Sequence, residues 1–134
     1  MTESEFKLLA GQLTLHAPAD AFEIAQFQAD QRVKLPEDYV GFLLHSNGAE
    51  GPVGSSGYVN LWAINDLSEL NRGYRVGEFA PGLLIFGSDG GDEAFAFDLR
   101  DSSMPIVGVP FVGMSLDEVR PLAATLTEML TKIW

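Results

Sequence analysis

The chain has 134 residues, with 19 acidic against 8 basic side chains, a net charge of −11 and no cysteine. That length suits one domain with a real core, and the absence of cysteine excludes disulfides, thiol nucleophiles and thiolate metal sites. The charge argues against nucleic acid and anionic membranes as partners, because both carry the same sign as this surface.

Residues 1–19 read as an N-terminal extension. Its apolar positions, Phe6, Leu8, Leu9, Leu13 and Leu15, suit either a short helix or an edge strand, and Pro18 stops whatever precedes it. A helix is expected from Asp20 to about Gln31. Asp20 can cap it, Glu23 has the spacing of a capping box, and Ile24 and Phe27 share a face with either Ala21 or Gln31. Arg32 and Lys34 follow near the C-terminal end, where the dipole favours cations. A second helix opens at Leu35-Pro36-Glu37-Asp38-Tyr39, with Pro36 at the first helical position. Tyr39, Phe42, Leu43 and Ser46 follow helical spacing, and Asn47-Gly48 ends the run. The Gly/Ser-rich stretch from Gly48 to Gly57 reads as a loop.

Tyr58 to Ile64 is rich in aromatic and branched residues and predicts a strand. Asp66 is placed to cap a short third helix, with Glu69 three residues on and Gly73 and Gly77 limiting its length. Leu83 to Gly87 is continuously apolar, the pattern of a strand buried on both faces. After the turn cluster Ser88 to Asp92, the chain alternates from Glu93 to Leu99. Phe95, Phe97 and Leu99 face one way, and Ala94, Ala96 and Asp98 the other, so the two runs predict a hairpin. Ile106 to Val112 reads as a further strand, with Pro110 at its end or on an edge. Ser115 and Glu118 also have capping-box spacing, but a helix begun there would enclose Pro121. The last helix is therefore expected from Pro121 to Lys132, burying Leu122, Leu126, Met129, Leu130 and Ile133. This order predicts one α+β domain over residues 1–134, a mostly antiparallel sheet flanked by helices.

Chemistry concentrates in the second hairpin. Asp89, Asp92, Glu93 and Asp98 lie in a stretch with no lysine or arginine between Arg75 and Arg100. Their spacing is not that of an EF-hand, so no metal is assigned. The loop is not a phosphate cradle either, since Asp92 stands where a P-loop has lysine and a strand follows. His16 and His45 lack ligand spacing, and His45 and Ser46, adjacent on a helix, diverge by about 100°. No nucleophile–base pair emerges, so no catalytic residue and no cofactor are expected. Phe86, Phe95 and Phe97 are read as core, and Trp62 as a partly exposed anchor for a partner. The candidate binding residues are Asp89, Asp92, Glu93, Asp98, Glu50 and Trp62, facing a basic protein.

Several segments, taken in order, resemble the SUKH superfamily of Smi/Knr type. They are Leu35-Pro36-Glu37-Asp38-Tyr39 with Phe42-Leu43 and Asn47-Gly48, then Trp62 with Ile64, Asp66 and Leu67. Ile85 to Glu93 with Ala96-Phe97-Asp98 follow, and Leu122 to Leu130 close the set. The closing helix departs from its relatives in carrying Leu126 and Met129-Leu130 where a Phe-rich segment is common. The resemblance covers residues from Asp20 to the C-terminus and implies an α+β fold and protein binding without catalysis. Many bacterial members resemble immunity proteins that bind and block a toxin, and fungal members resemble regulators of cell-wall synthesis and signalling. The resemblance thus points to a bacterial immunity protein whose basic partner is a nuclease-type toxin, with a regulatory or scaffold module as the alternative. Met1 to Glu5 lack the positive start of a signal peptide, and no apolar run approaches the about 20 residues of a membrane span, so the expected place is the cytoplasm.

Overall fold

In the computed structural model, which describes residues 1–134, the first helix α1 (Glu3–Ala10) and a two-residue strand β1 (Thr14–Leu15) come from the segment read as an extension. Both alternatives left open for it occur, one after the other. Phe6, Leu9 and Leu13 are buried, while Leu8 stays 79% exposed. Helix α2 (Ala21–Gln31) is capped by Asp20, whose carboxylate accepts the Phe22 N–H at 2.8 Å. Ile24 and Phe27 are its buried positions, and Ala21 and Gln31 both face solvent. Helix α3 (Glu37–His45) buries Tyr39, Phe42 and Leu43, with Ser46 beneath its end.

Three expectations are corrected. The Gly48 to Gly57 stretch is a hairpin, not a loop: β2 (Ala49–Val53) pairs with β3 (Gly57–Leu61) along its whole length. Ala-Glu-Gly-Pro-Val has no strand signal of its own, and the pairing comes from the partner strand. Helix α4 (Ile64–Gly73) begins before Asp66, and its cap comes from elsewhere. The Asn47 side-chain oxygen accepts the Ile64 N–H at 2.8 Å. Finally, Pro121 does not open a helix. Ser115 caps one 3-10 turn (Leu116–Glu118), Arg120 to Ala123 form strand β7, and helix α6 (Leu126–Thr131) starts after the Thr125 cap. Proline is tolerated in β7 because that strand is the last in the sheet.

With β4 (Leu83–Ser88), β5 (Glu93–Asp98) and β6 (Ile106–Pro110), the seven strands form one sheet in chain order, every neighbouring pair antiparallel. The α+β expectation holds. The alternation read in β5 decides the layering. Phe95 and Phe97 join Leu84, Phe86, Val59, Leu61 and Ile106 in the larger core, under α1, α2, α3, α4 and α6. Ala94 and Ala96 face the other way, with Leu83, Ile85, Val107 and Val109, and are covered by the short helix α5 (Val76–Phe79), Ala80 and Met114. This second core takes its strand residues from β4, β5 and β6 only, so β1 to β3 have no cover on that side. No helix is long and apolar enough to cross a membrane.

Candidate functional site

Side chains alternate along a strand, and in β2 and β3 the alternation separates core from solvent cleanly. Ala49, Val53, Val59 and Leu61 point into the larger core. Glu50 and Pro52 of β2 and Tyr58 and Asn60 of β3 point to the uncovered side. Glu50 pairs with Asn60, and Asn60 with Ser88 of β4, so these three lie in one row across the sheet. At about 4.8 Å per strand, Glu50 stands about 10 Å from Ser88.

The β4–β5 loop closes one end of this face. Gly90 has φ +82°, and a Cβ there would lie 2.9 Å from the Tyr58 ring, so the loop seats against that ring. Asp89 shapes the turn by accepting the Gly91 N–H at 2.8 Å and the Glu93 N–H at 3.2 Å. Asp92 is exposed, and its carbonyl accepts the Phe111 N–H at 2.9 Å, which ties the exit of β6 to the loop. The Trp62 backbone N–H donates to the Phe86 carbonyl, and its side chain packs against both cores. Its ring is stacked with Tyr74 at 6.2 Å and Phe111 at 6.4 Å, so an aromatic cluster edges the face. The Glu50 carboxylate pairs with His16 Nε2 at 2.6 Å. From Leu35 to Asn71 the chain has no lysine or arginine, so β2 and β3 bring no cation to the face.

Four of the six predicted residues, Glu50, Trp62, Asp89 and Asp92, therefore share one surface. Glu93 and Asp98 do not join them. Glu93 has the parity of Phe95 and Phe97, lies over Gly108 and is bonded to Arg120. Asp98 is five residues further along β5, about 17 Å away, and grips Arg100 through two bonds of 2.9 and 3.0 Å. That hydrogen-bonded guanidinium holds the Asp98 carboxyl below the usual range. Asp101 is held low as well, by its bonds from Ser103. The stretch is base-free in sequence but not in space, because Arg100 folds back and Arg120 arrives on β7.

Tyr58, Asn60, Tyr74 and Phe111 were not singled out beforehand as partner-facing. The alternation Tyr58-Asn60-Trp62 against Val59-Leu61 was a usable signal for the first two. Tyr74 and Phe111 lie outside any periodic run and meet at 4.6 Å only through the fold. No three His, Asp or Glu side chains are grouped so as to hold a metal ion. The arrangement offers carboxylates and aromatic rings on an open sheet, suited to cationic side chains of a protein.

No curated protein matches the chain. Residues 18–132 match the family model described as SMI1 / KNR4 family (SUKH-1), a span that omits α1 and β1 and contains β2, β3, the acidic loop and the aromatic cluster. With that match over most of its length, the chain belongs to the SMI1 / KNR4 family, SUKH-1.

Proposed function

We propose that this protein is a cytoplasmic immunity protein of bacterial type, which neutralises a toxin by binding it directly, without chemistry of its own. The observation that carries the reading is the open face of β2 and β3, strands with no lysine or arginine, which presents Glu50 and Tyr58 with the Asp89–Asp92 loop seated against Tyr58. Nucleases must hold phosphate and so present cations, and a face of this composition complements them. The net charge of −11 steers such a partner in, raising the association rate by about 10- to 1,000-fold over a neutral pair. The aromatic side chains on and along this face supply the short-range energy. Family membership supports protein binding as the role.

The test is growth rescue. The chain is co-expressed with the toxic domain encoded beside its gene, and survival is compared with that of the Glu50→Gln/Asp89→Asn/Asp92→Asn variant. Rescue by the native chain and its loss in the triple variant is the expected result. Rescue that survives neutralisation removes the charged face from the mechanism. A neighbouring gene of cell-wall or signalling type, with no binding to any toxin, replaces immunity with the regulatory role.

A further inference from the structure

The hairpin of β2 and β3 projects beyond the strands beside it. β1 pairs with Ala49 and Glu50 of β2 alone, and β4 pairs with Asn60 and Leu61 of β3 alone. The outer half of the hairpin, Gly51 to Val59, therefore pairs only with itself. Val53 and Val59 pin it to the larger core by their side chains. Tyr58 points the other way, to the open face, and is 46% exposed. A two-stranded arm has only marginal order of its own, so its position is set by what touches it.

Trp134 touches the tip of this arm. It follows α6, a helix fixed to the core by its buried Leu126, Met129 and Leu130 and by its Thr127 N–H, which donates to Asp38 of α3 at 2.8 Å. A Cβ on Gly57 would lie 2.6 Å from the Trp134 indole, and one on Gly54 would lie 2.6 Å from the Trp134 Cβ. The Ser55 N–H donates to the Trp134 carbonyl in a long bond of 3.5 Å. The indole also packs against the larger core, with the Phe95 ring at 6.1 Å. Its Nε1–H is buried and makes no hydrogen bond within the chain, so the seat fits a flat apolar ring rather than a polar group. The arm is thus held from two sides: by Trp134 against its glycines, and by the Gly90 loop against the Tyr58 ring.

We propose that Trp134 is a positioning residue for the open face: it holds the outer half of the hairpin in one place and so fixes where the Tyr58 ring meets a protein partner. The proposal rests on the binding reading of that face. Trp134 acts through the arm, and its contribution is preorganisation. A loose arm must lose its motion when a partner binds, and that ordering weakens the complex, whereas an arm already seated spares most of it. Gly57 makes the seat specific. It has no positive φ, so the turn itself does not call for glycine there, and the space its missing Cβ leaves is filled by the indole.

The test is backbone amide relaxation by NMR on the full chain, beside the affinity for the toxic domain encoded next to its gene. Gly54 to Val59 should be rigid in the native chain, with order parameters of about 0.85, and should fall below about 0.6 in Trp134→Ala. The Gly90 resonances should move as the Tyr58 ring leaves them. Trp134→Phe keeps a ring in the seat and should restore both. Gly57→Ala drives a Cβ into the indole and should loosen the arm likewise, with little added to Trp134→Ala, since both remove one contact. Asn71→Ala, which unpairs Ile85 of β4, lowers stability outside the arm and should leave it rigid. Trp134→Ala should weaken binding of the toxic domain by at least about tenfold, or 1.4 kcal/mol, and Trp134→Phe far less. The proposal is overturned by an arm that stays rigid in Trp134→Ala, by equal loosening in Asn71→Ala, or by unchanged affinity with a loose arm. A native chain that binds no toxic domain overturns the toxin reading alone, because the relaxation data still decide whether Trp134 seats the arm.

Discussion

Two asparagines hold the fold together by replacing backbone. Asn47 bonds the Ile64 N–H at 2.8 Å and the Asn65 side chain at 2.7 Å, so the end of α3 caps the start of α4. Asn71 satisfies both backbone groups of Ile85, a residue with no accessible surface. Removing the amide leaves a buried donor and acceptor unpaired. Asn71→Ala is therefore expected to lower stability by about 2–3 kcal/mol in urea unfolding, with the slope unchanged. The Asp98 carboxyl titrates below its ordinary range because Arg100 bonds the charged form. Its pKa is lower folded than unfolded, so its contribution is present above the ordinary value of about 4 and is lost as pH falls through the depressed one. Thermal unfolding followed downward from neutral pH should show Asp98→Asn losing less stability on acidification than the native chain.

At the scale of elements, one tight junction is where β3 crosses onto β4. Only two residue pairs join these strands, Asn60 with Ser88 and Leu61 with Gly87, next to an irregularity between Ile85 and Gly87. A Cβ on Gly87 would lie 2.5 Å from the Asn60 carbonyl oxygen and 3.1 Å from the Leu61 Cα. Backbone atoms cannot swing aside as a side chain can, so Gly87→Ala should push β3 off the sheet. A loss of about 2–3 kcal/mol, typical of overpacking, is expected in the same urea assay. The elements that were legible beforehand were those whose own residues carry a period. Helix α3 has its stripe, β5 its alternation and β4 its unbroken apolar run. The strands that were missed, β2 and β7, contain Pro52 and Pro121, and each is a strand because a neighbour supplies the ladder. Likewise the start of α4 was set by Asn47, seventeen residues before Ile64, and no local rule around Asp66 could show it.

Across the whole molecule, charge is sorted. Strands β1 to β3 carry no lysine or arginine, and a cleft beside α4 is lined by Arg72 and by Arg75 with its partner Glu78. A net charge of −11 on a chain this short also repels itself. Salt screens that repulsion over about 10 Å at 0.1 M and less above it. Raising sodium chloride should therefore raise the thermal midpoint by a few degrees, while slowing association with any basic partner. A midpoint that falls with salt would show that the specific ion pairs, such as Asp98 with Arg100, outweigh the general repulsion.

The amino-acid sequence alone determined the α+β class, the hairpin of β4 and β5, the family, and the net acidity. These follow from periodicities and totals that need no knowledge of which strand lies beside which. Tertiary structure decided which carboxylates stand together. Parity along β5 and the return of Arg120 removed Glu93, and the length of β5 removed Asp98. Pairing of β2 with β3 put Glu50 in the row of Asn60 and Ser88, while Tyr58 lies against the loop of Asp89 and Asp92. The reason is physical: a strand's side-chain direction is local, but its neighbours are set by hydrogen bonding between segments distant in the chain.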